Sequence, residues 1–219
     1  PNGLFAWMSQ FMLDPSLEEG REFKKEWLKD RKYEMLPDLT EFRRTVQAND
    51  LAVSTRDVRG GSKFASVTWA LHRNGDLYLR DAYKDNLSGP EQLDAMKARY
   101  IMHRPQSIIV EKAGQQWFVA QFAKSDPEYQ QLPIVPMQQD RDKGRRIKGI
   151  FAYFAAKRVW IHKDHTEFEE ECLRFRSSRP VDCDLLDATE MAFRALFEEQ
   201  EERPSFLPVT VSKPYKFRP

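Results

Sequence analysis

Phe64-Ala65-Ser66-Val67-Thr68-Trp69-Ala70-Leu71 is followed by Arg73-Asn74-Gly75-Asp76 and then by Leu77-Tyr78-Leu79-Arg80-Asp81-Ala82-Tyr83. The first run is rich in β-branched and aromatic residues, which suit a pleated, half-buried surface. The third alternates Leu77, Leu79, Asp81 and Tyr83 against Tyr78, Arg80 and Ala82. Asn-Gly between two such runs is the strongest short hairpin signal. Two antiparallel strands follow. A further strand is expected upstream, over 46–55. Downstream the pattern changes. Ser88-Gly89-Pro90-Glu91 opens a helix over 90–103, with Pro in the first turn. Ile108-Ile109-Val110 then reads as a short strand buried on both faces, as in a parallel sheet.

The alternation continues. A helix is expected over 115–124, a strand over 132–135, a basic-to-apolar helix over 140–156 and a strand over 158–162. Thr166 with Glu169 three residues on reads as a capping box for a helix reaching Phe175. A last helix is expected over 184–201. The order β–β–β–α–β–α–β–α–β–α–α predicts an α/β fold. Its mixed sheet has three antiparallel strands followed by parallel ones, with helices on both faces. This order resembles that of ribonuclease H-like (RNase H-like) nucleases and transferases. Before it, residues 1–45 carry scattered aromatics (Phe5, Trp7, Phe11, Phe23, Trp27, Phe42) and read as a docking arm. After it, 203–219 is a Pro-rich tail expected to be extended or disordered.

The chain has 219 residues, with 35 Lys+Arg against 34 Asp+Glu, a formal net charge of +1. Charged residues at 32% with this balance exclude a basic tail or an acidic disordered segment. No run of about 18 apolar residues occurs, so no membrane span is expected. The first residues lack the basic start and apolar run of a signal peptide. Cys172 and Cys183 form no C-x-x-C pair, which favours a reducing, intracellular setting.

Acidic residues stand at informative places. Asp50 and Glu111 interrupt apolar runs, where a charge without a partner is costly. Glu111 emerges at the carboxyl end of a buried strand, where open α/β sheets bind ligands. Asp184 and Asp187, at i and i+3 of the last helix, share a face, and Asp182 precedes them as a possible cap. Carboxylates brought together repel unless a cation compensates. Oxygen-rich, His-poor ligation favours Mg²⁺ or Mn²⁺ over zinc. Two such ions can clamp an in-line attack on a phosphate. The plainer alternative is a set of solvated strand tips and salt bridges.

Arg141, Lys143, Arg145, Arg146 and Lys148 form the densest basic stretch and suit DNA phosphate contacts. A solvated helix face is the plainer reading of the same residues. Arg56, Arg59 and Lys63 around Gly60-Gly61 read as a flexible loop that could follow a nucleic-acid backbone, with a plain hairpin loop as the simpler reading. His162 and His165 lack a third ligand and are not read as a metal site. No base near Cys183 is evident to activate it. Neither G-x-x-x-x-G-K-[ST] nor G-x-G-x-x-G occurs, so the chain itself is no nucleotide-driven motor.

Taken in order, these segments resemble the C-terminal nuclease domain of the tailed-phage terminase large subunit, a RuvC-like member of the RNase H-like group. The resemblance covers nearly the whole chain. Phe11-Met12-Leu13-Asp14-Pro15 and Phe23-Lys24-Lys25-Glu26-Trp27 resemble the segment joining that family's ATPase to its nuclease. Asp50-Leu51-Ala52-Val53-Ser54 resembles the first acidic motif, and Ile108-Ile109-Val110-Glu111 the second. Lys143-x-x-Arg146 is similar to a Lys/Arg segment before a helix. Arg158-Val159-Trp160-Ile161 and Phe168-Glu169-x-x-Cys172-x-x-Phe175 are similar to the strand and helix before the last motif. Asp182-Cys183-Asp184-Leu185-Leu186-Asp187-Ala188 resembles that motif. Cys183 separates Asp182 from Asp184, leaving open which Asp binds metal. Ser62-Lys63-Phe64 stands where the family often has another Asp.

The resemblance implies an endonuclease that cuts concatemeric viral DNA, with Asp50, Glu111 and Asp184 holding two Mg²⁺ or Mn²⁺ ions and Asp187 as helper or alternative. It implies residues 1–45 as the arm from an upstream ATPase domain, 46–202 as the nuclease and 203–219 as the tail. Implied partners are double-stranded DNA, the terminase small subunit, the portal protein and that ATPase domain, in the host cell cytoplasm. The rivals are another RNase H-like enzyme, such as a Holliday-junction resolvase or transposase, and a non-catalytic DNA-docking module. Near-neutral charge does not exclude DNA, because the charges are segregated. Cations crowd 141–148 while acids stand at Asp50, Glu111 and 182–187.

Overall fold

The structure, a computed structural model, describes residues 23–52, 63–112, 122–139 and 142–197. In chain order the first elements are α1 (Lys25–Leu28), β1 (Lys32–Tyr33), β2 (Phe42–Asp50), β3 (Phe64–His72), β4 (Leu77–Asp85) and α2 (Gly89–His103). Then come β5 (Ser107–Glu111), β6 (Ile134–Met137), α3 (Lys143–Lys148), α4 (Phe151–Ala155), β7 (Val159–His162), α5 (Thr166–Arg174) and α6 (Asp184–Phe197). One sheet takes the strand order β1-β7-β4-β3-β2-β5-β6. β2, β3 and β4 pair antiparallel. The pairs β2–β5, β5–β6, β4–β7 and β1–β7 are parallel. This is the expected mixed sheet, and its centre is the hairpin. Gly75 turns it at φ 88°, a left-handed conformation that suits glycine.

The two faces of the sheet differ. Val46, Ala48, Ala65, Val67, Trp69 and Ile109 belong to a core that contains most of α6. Phe64, Ile108 and Val110 pack with Leu93 and Met96 of α2 on the other side. Gln47 and Asn49, polar residues in a central strand, fall on the α2 side. There Gln47 Nε2 donates to the Met96 carbonyl and to Asn49 Oδ1, each at 3.2 Å. Trp69 is fully buried, its ring edge-on to Phe193 at 4.9 Å, and its indole N–H donates to Thr189 Oγ1 at 3.1 Å. Trp69→Phe keeps most of the apolar contact and loses that bond. It is expected to cost about 1–2 kcal/mol in urea unfolding with the slope unchanged.

Several expectations shift. The first strand starts at Phe42, because Phe42 packs edge-on to His72 at 5.5 Å and Tyr78 at 5.4 Å and so carries the strand past Arg43-Arg44. It ends at Asp50. Residues 53–55 lie outside the described residues, as do most of the helix expected over 115–124, the loop with Arg56 and Arg59, Arg141, and the tail. The 140–156 helix is two, broken at Gly149-Ile150. The capping box at Thr166 does not form. His165 is the N-cap residue, and Glu169 accepts from Lys32 instead. The strand expected over 132–135 runs on through Pro136, which the edge strand β6 tolerates.

The described part of the arm is bound to the rest of the fold. Phe23 meets Phe151 at 4.5 Å and Phe154 at 4.9 Å. β1 adds an edge strand beside β7, and Tyr33 Oη donates to the Leu79 carbonyl at 2.6 Å.

Candidate active site

Strand alternation aims the first carboxylate. Val46 and Ala48 face α6, so Asp50, the last residue of β2, faces it too. β5 runs parallel beside β2 with Asn49 opposite Val110, so Glu111, its last residue, lies one step beyond on the same side as Ile109. Two carboxylates thus leave the carboxyl ends of neighbouring parallel strands. α6 crosses this face, and its first turn brings Asp184 and Asp187. Asp182 is exposed, in a left-handed conformation at φ 50°. Its place outside the helix separates it from Asp184 and Asp187.

The basic helix completes the cluster. Lys143 Nζ stands 3.2 Å from Asp184 Oδ1, 3.4 Å from Asp187 Oδ2 and 3.6 Å from Asp50 Oδ2. Arg146, one turn on, puts Nη2 2.8 Å from Asp187 Oδ1 and 3.0 Å from Oδ2. Lys143 and Arg146, expected on a DNA-facing surface, therefore turn inward. Arg145 is exposed and Lys148 half-buried. The i, i+3 spacing of Lys143 and Arg146 was the legible sign that both share one face. Two cations beside clustered carboxylates supply the compensation that a like-charge group requires. Among the described residues, no group of three or more His, Cys, Asp and Glu side chains is arranged to hold a metal ion. The Lys143 ammonium occupies the space between three of them.

Burial raises the Asp50 carboxyl to about 7. Lys143 opposes the rise, and Asp187, Asp184 and Glu111 add to it. Burial also raises Glu111 and Asp187 above the usual carboxylate range, against the pull of Lys143 and Arg146. Burial works against the Lys143 ammonium as well, but Asp50, Asp187 and Asp184 together overcome it and raise its pKa. The two partners of the Asp50–Lys143 pair thus fare differently. Lys143 faces three carboxylates and keeps some water, whereas Asp50 is deeper and faces further negative charge. Burial pushes the Cys183 thiol to about 12, which removes it as a nucleophile.

Gly144 allows this docking. A Cβ there would lie 2.5 Å from the Ser177 carbonyl oxygen. Gly144→Ala must push α3, and Lys143 with it, away from the cluster. The expected cost is about 1–3 kcal/mol in urea unfolding.

Glu171 and Lys84 escaped the sequence reading. Glu171 is buried beside Phe168 and Cys172, and Lys84 Nζ approaches Glu171 Oε2 to 2.5 Å. The available signal was a Glu on the apolar face of an amphipathic helix, a costly position without a partner.

No family model matches the sequence, and no curated protein matches it. Solved structures do match. The chain is similar to the P22 large terminase nuclease domain, with TM-score 0.59 and 14% identity over 81% of this chain and 93% of that one. It is similar to the human cytomegalovirus terminase nuclease domain, manganese-soaked and inhibitor-bound, with TM-score 0.53 and 14% identity over 84% and 94% of the two chains. It is also similar to the large terminase nuclease from thermophilic phage G20c with bound zinc, with TM-score 0.53 and 15% identity over 72% and 85%. At such identities the likeness is one of fold, and the fold is the RNase H-like mixed sheet.

Proposed function

We propose that this chain is the nuclease of a viral genome-packaging terminase, a metal-dependent endodeoxyribonuclease that cuts concatemeric double-stranded DNA. The observation that carries the reading is the placement of Asp50, Glu111, Asp184 and Asp187. They come from three elements and stand where two parallel strands end. The likeness to three viral terminase nuclease domains, two of them described with manganese or zinc, supports it.

The donor set fits the metal. All four groups are carboxylates, the ligands of hard cations such as Mg²⁺ or Mn²⁺. The Lys143 ammonium within 3.2–3.6 Å of three of them is a stand-in for such a cation. Asp50, Glu111 and Asp184 would hold two ions. Asp187, held by Arg146 through both oxygens, is the helper. Divalent ions held there would supply activation of a water and stabilisation of the leaving oxygen of a phosphodiester. The chain's own residues orient that site. Arg146 fixes the Asp187 carboxylate, and burial keeps the carboxylates from drifting into bulk water. Arg141, Arg145 and Lys148 contact phosphates of the duplex, with Lys143 available once the carboxylates take a metal.

In this reading residues 1–45 connect to an upstream ATPase domain, 46–202 are the nuclease and 203–219 a tail. The partners are double-stranded DNA, the terminase small subunit and the portal, in the host cell cytoplasm. Among the described residues no helix is long and apolar enough to cross a membrane.

The test is plasmid cleavage with Mn²⁺ or Mg²⁺. Nicking and linearisation that stop with EDTA and weaken with salt are expected. Cleavage that survives chelation, or a Mn²⁺-soaked crystal without an ion near Asp50 and Glu111, overturns the reading. A strong preference for four-way junctions over plain duplex would move the chain to the resolvases.

A further inference from the structure

The carboxylates of α6 need a fixed helix start, and the sequence at that start supplies no ordinary cap. The Cys183 carbonyl begins the helix by accepting from Asp187 N–H at 3.0 Å. Cysteine at this position lacks the side-chain oxygen with which Ser, Thr, Asp or Asn would satisfy an N–H of the first turn. Those first N–H groups have no partner within the helix. One is met from elsewhere. Glu171 of α5 reaches across, and its Oε1 accepts from Leu186 N–H at 2.9 Å.

The other oxygen of Glu171 ties this cap to the sheet. Oε2 accepts from Lys84 Nζ at 2.5 Å, and both side chains are nearly inaccessible, at 1% and 5% exposure. Lys84 is directly opposite Ala65, and Ala65 is directly opposite Asp50. Asp50, Ala65 and Lys84 therefore form one row across β2, β3 and β4, on one face of the sheet. Two strand spacings separate the ends of the row, roughly 10 Å. Ala65, between them, is buried in the same core as Cys183, Leu185 and Leu186 at the start of α6. The Lys84–Glu171 pair thus docks the first turn of α6 onto the row of residues that carries Asp50. A carboxylate at a helix N-terminus also meets the positive end of the helix dipole.

We infer that Glu171 is a positioning residue that holds Asp184 and Asp187 in register with Asp50, with Lys84 anchoring Glu171 to the sheet. Glu171 touches no reacting atom and acts through α6. The inference rests on the metal-nuclease reading for its metal readout, and on hydrogen bonding alone for its second readout.

The test compares wild type, Glu171→Ala and the pair Glu171→Gln with Lys84→Met. The introduced glutamine still accepts from Leu186 N–H, and the introduced methionine removes the charge that a neutral amide cannot match. Mn²⁺ affinity is read by titration of free Mn²⁺, with folding checked by circular dichroism. Glu171→Ala is expected to bind Mn²⁺ at least tenfold more weakly while folded, and to lower kcat more than it raises KM for DNA. The paired variant keeps the Leu186 bond and loses the anchor, so it is expected to bind Mn²⁺ more tightly than Glu171→Ala and more weakly than wild type. A merely structural role would lower the melting temperature and leave Mn²⁺ affinity alone. A folded Glu171→Ala with wild-type affinity overturns the inference. Should Glu171→Ala not fold, Glu171→Asp, one methylene short of Leu186, gives the same readout. If wild type itself binds no Mn²⁺, the metal reading is what fails. Amide exchange then decides the positioning claim. Leu186 must exchange faster in the folded variant with α2 unchanged, and an unaltered Leu186 rate sinks it.

Discussion

Asp50→Asn is expected to end DNA cleavage and, at pH 8, to make the metal-free protein more stable. Both effects have one cause. Asp50 is a buried carboxylate whose pKa rises from 3.8 to about 7, first through burial, with Lys143 opposing and Asp187, Asp184 and Glu111 reinforcing. A raised carboxyl pKa means that the folded state binds a proton more tightly than the unfolded chain. Below pH 4 both states are protonated and the group is neutral to stability. Between pH 4 and 7 the unfolded chain ionises first, so stability falls as pH rises. Above 7 the full penalty is present. At 1.36 kcal/mol per unit it is on the order of 2–4 kcal/mol. Asparagine has the same shape without the charge, so the variant escapes this penalty, and the gain should vanish at pH 4. Urea titrations of both proteins at pH 4 and pH 8 measure it. A bound divalent cation reverses the balance by needing the ionised form, so wild-type Mn²⁺ affinity should rise up to pH 7 and level off. Without that carboxylate the transition state loses several kcal/mol of charge stabilisation, a drop of ~10³-fold or more in cleavage. Equal stability of the two proteins at pH 8 would contradict the buried-charge account. Undiminished cleavage would remove Asp50 from the site.

The fold was legible because its signals were local. The Asn74-Gly75 turn, the alternation after Leu77 and the apolar triplet before Glu111 each depend on a few neighbouring residues. Asp50 and Glu111 were legible as charges inside apolar runs. What escaped depends on contacts distant in sequence. Glu169 was expected to cap its own helix, but Lys32, contributed by the arm, takes its carboxylate. Glu171 caps α6 across 15 residues of chain. Lys143 and Arg146 were read as part of a DNA surface because cations at that density suit phosphate contacts. Their inward turn depends on Gly144 allowing α3 to approach Ser177, a fit that composition does not encode. Gln47, polar in a central strand, is accommodated because α2 supplies the Met96 carbonyl to its Nε2.

Lys143→Met is expected to weaken the metal-free protein and to tighten Mn²⁺ binding by a matching amount. Methionine keeps the volume of the stem and removes the ammonium that stands 3.2–3.6 Å from three carboxylates. Breaking a buried ion pair typically costs about 3–5 kcal/mol, because the remaining charge is left uncompensated. Lys143 is 28% exposed, and water recovers part of that cost, so ~3 kcal/mol is expected in urea unfolding at pH 8 without metal. In the wild type a divalent cation must displace the ammonium from these oxygens or accept its repulsion. In the variant neither cost exists. If displacement is complete, the stability lost by the metal-free variant reappears as affinity, and ~3 kcal/mol corresponds to roughly 100-fold tighter Mn²⁺ binding. The two measurements close a thermodynamic cycle. Matching magnitudes mean that Lys143 and the metal compete for the same oxygens, so the metal-free site is held shut by its own lysine. A variant that loses stability with unchanged Mn²⁺ affinity would mean that lysine and metal sit on different sides of the carboxylates. A variant that binds Mn²⁺ more weakly would make Lys143 a partner of the metal site rather than its competitor.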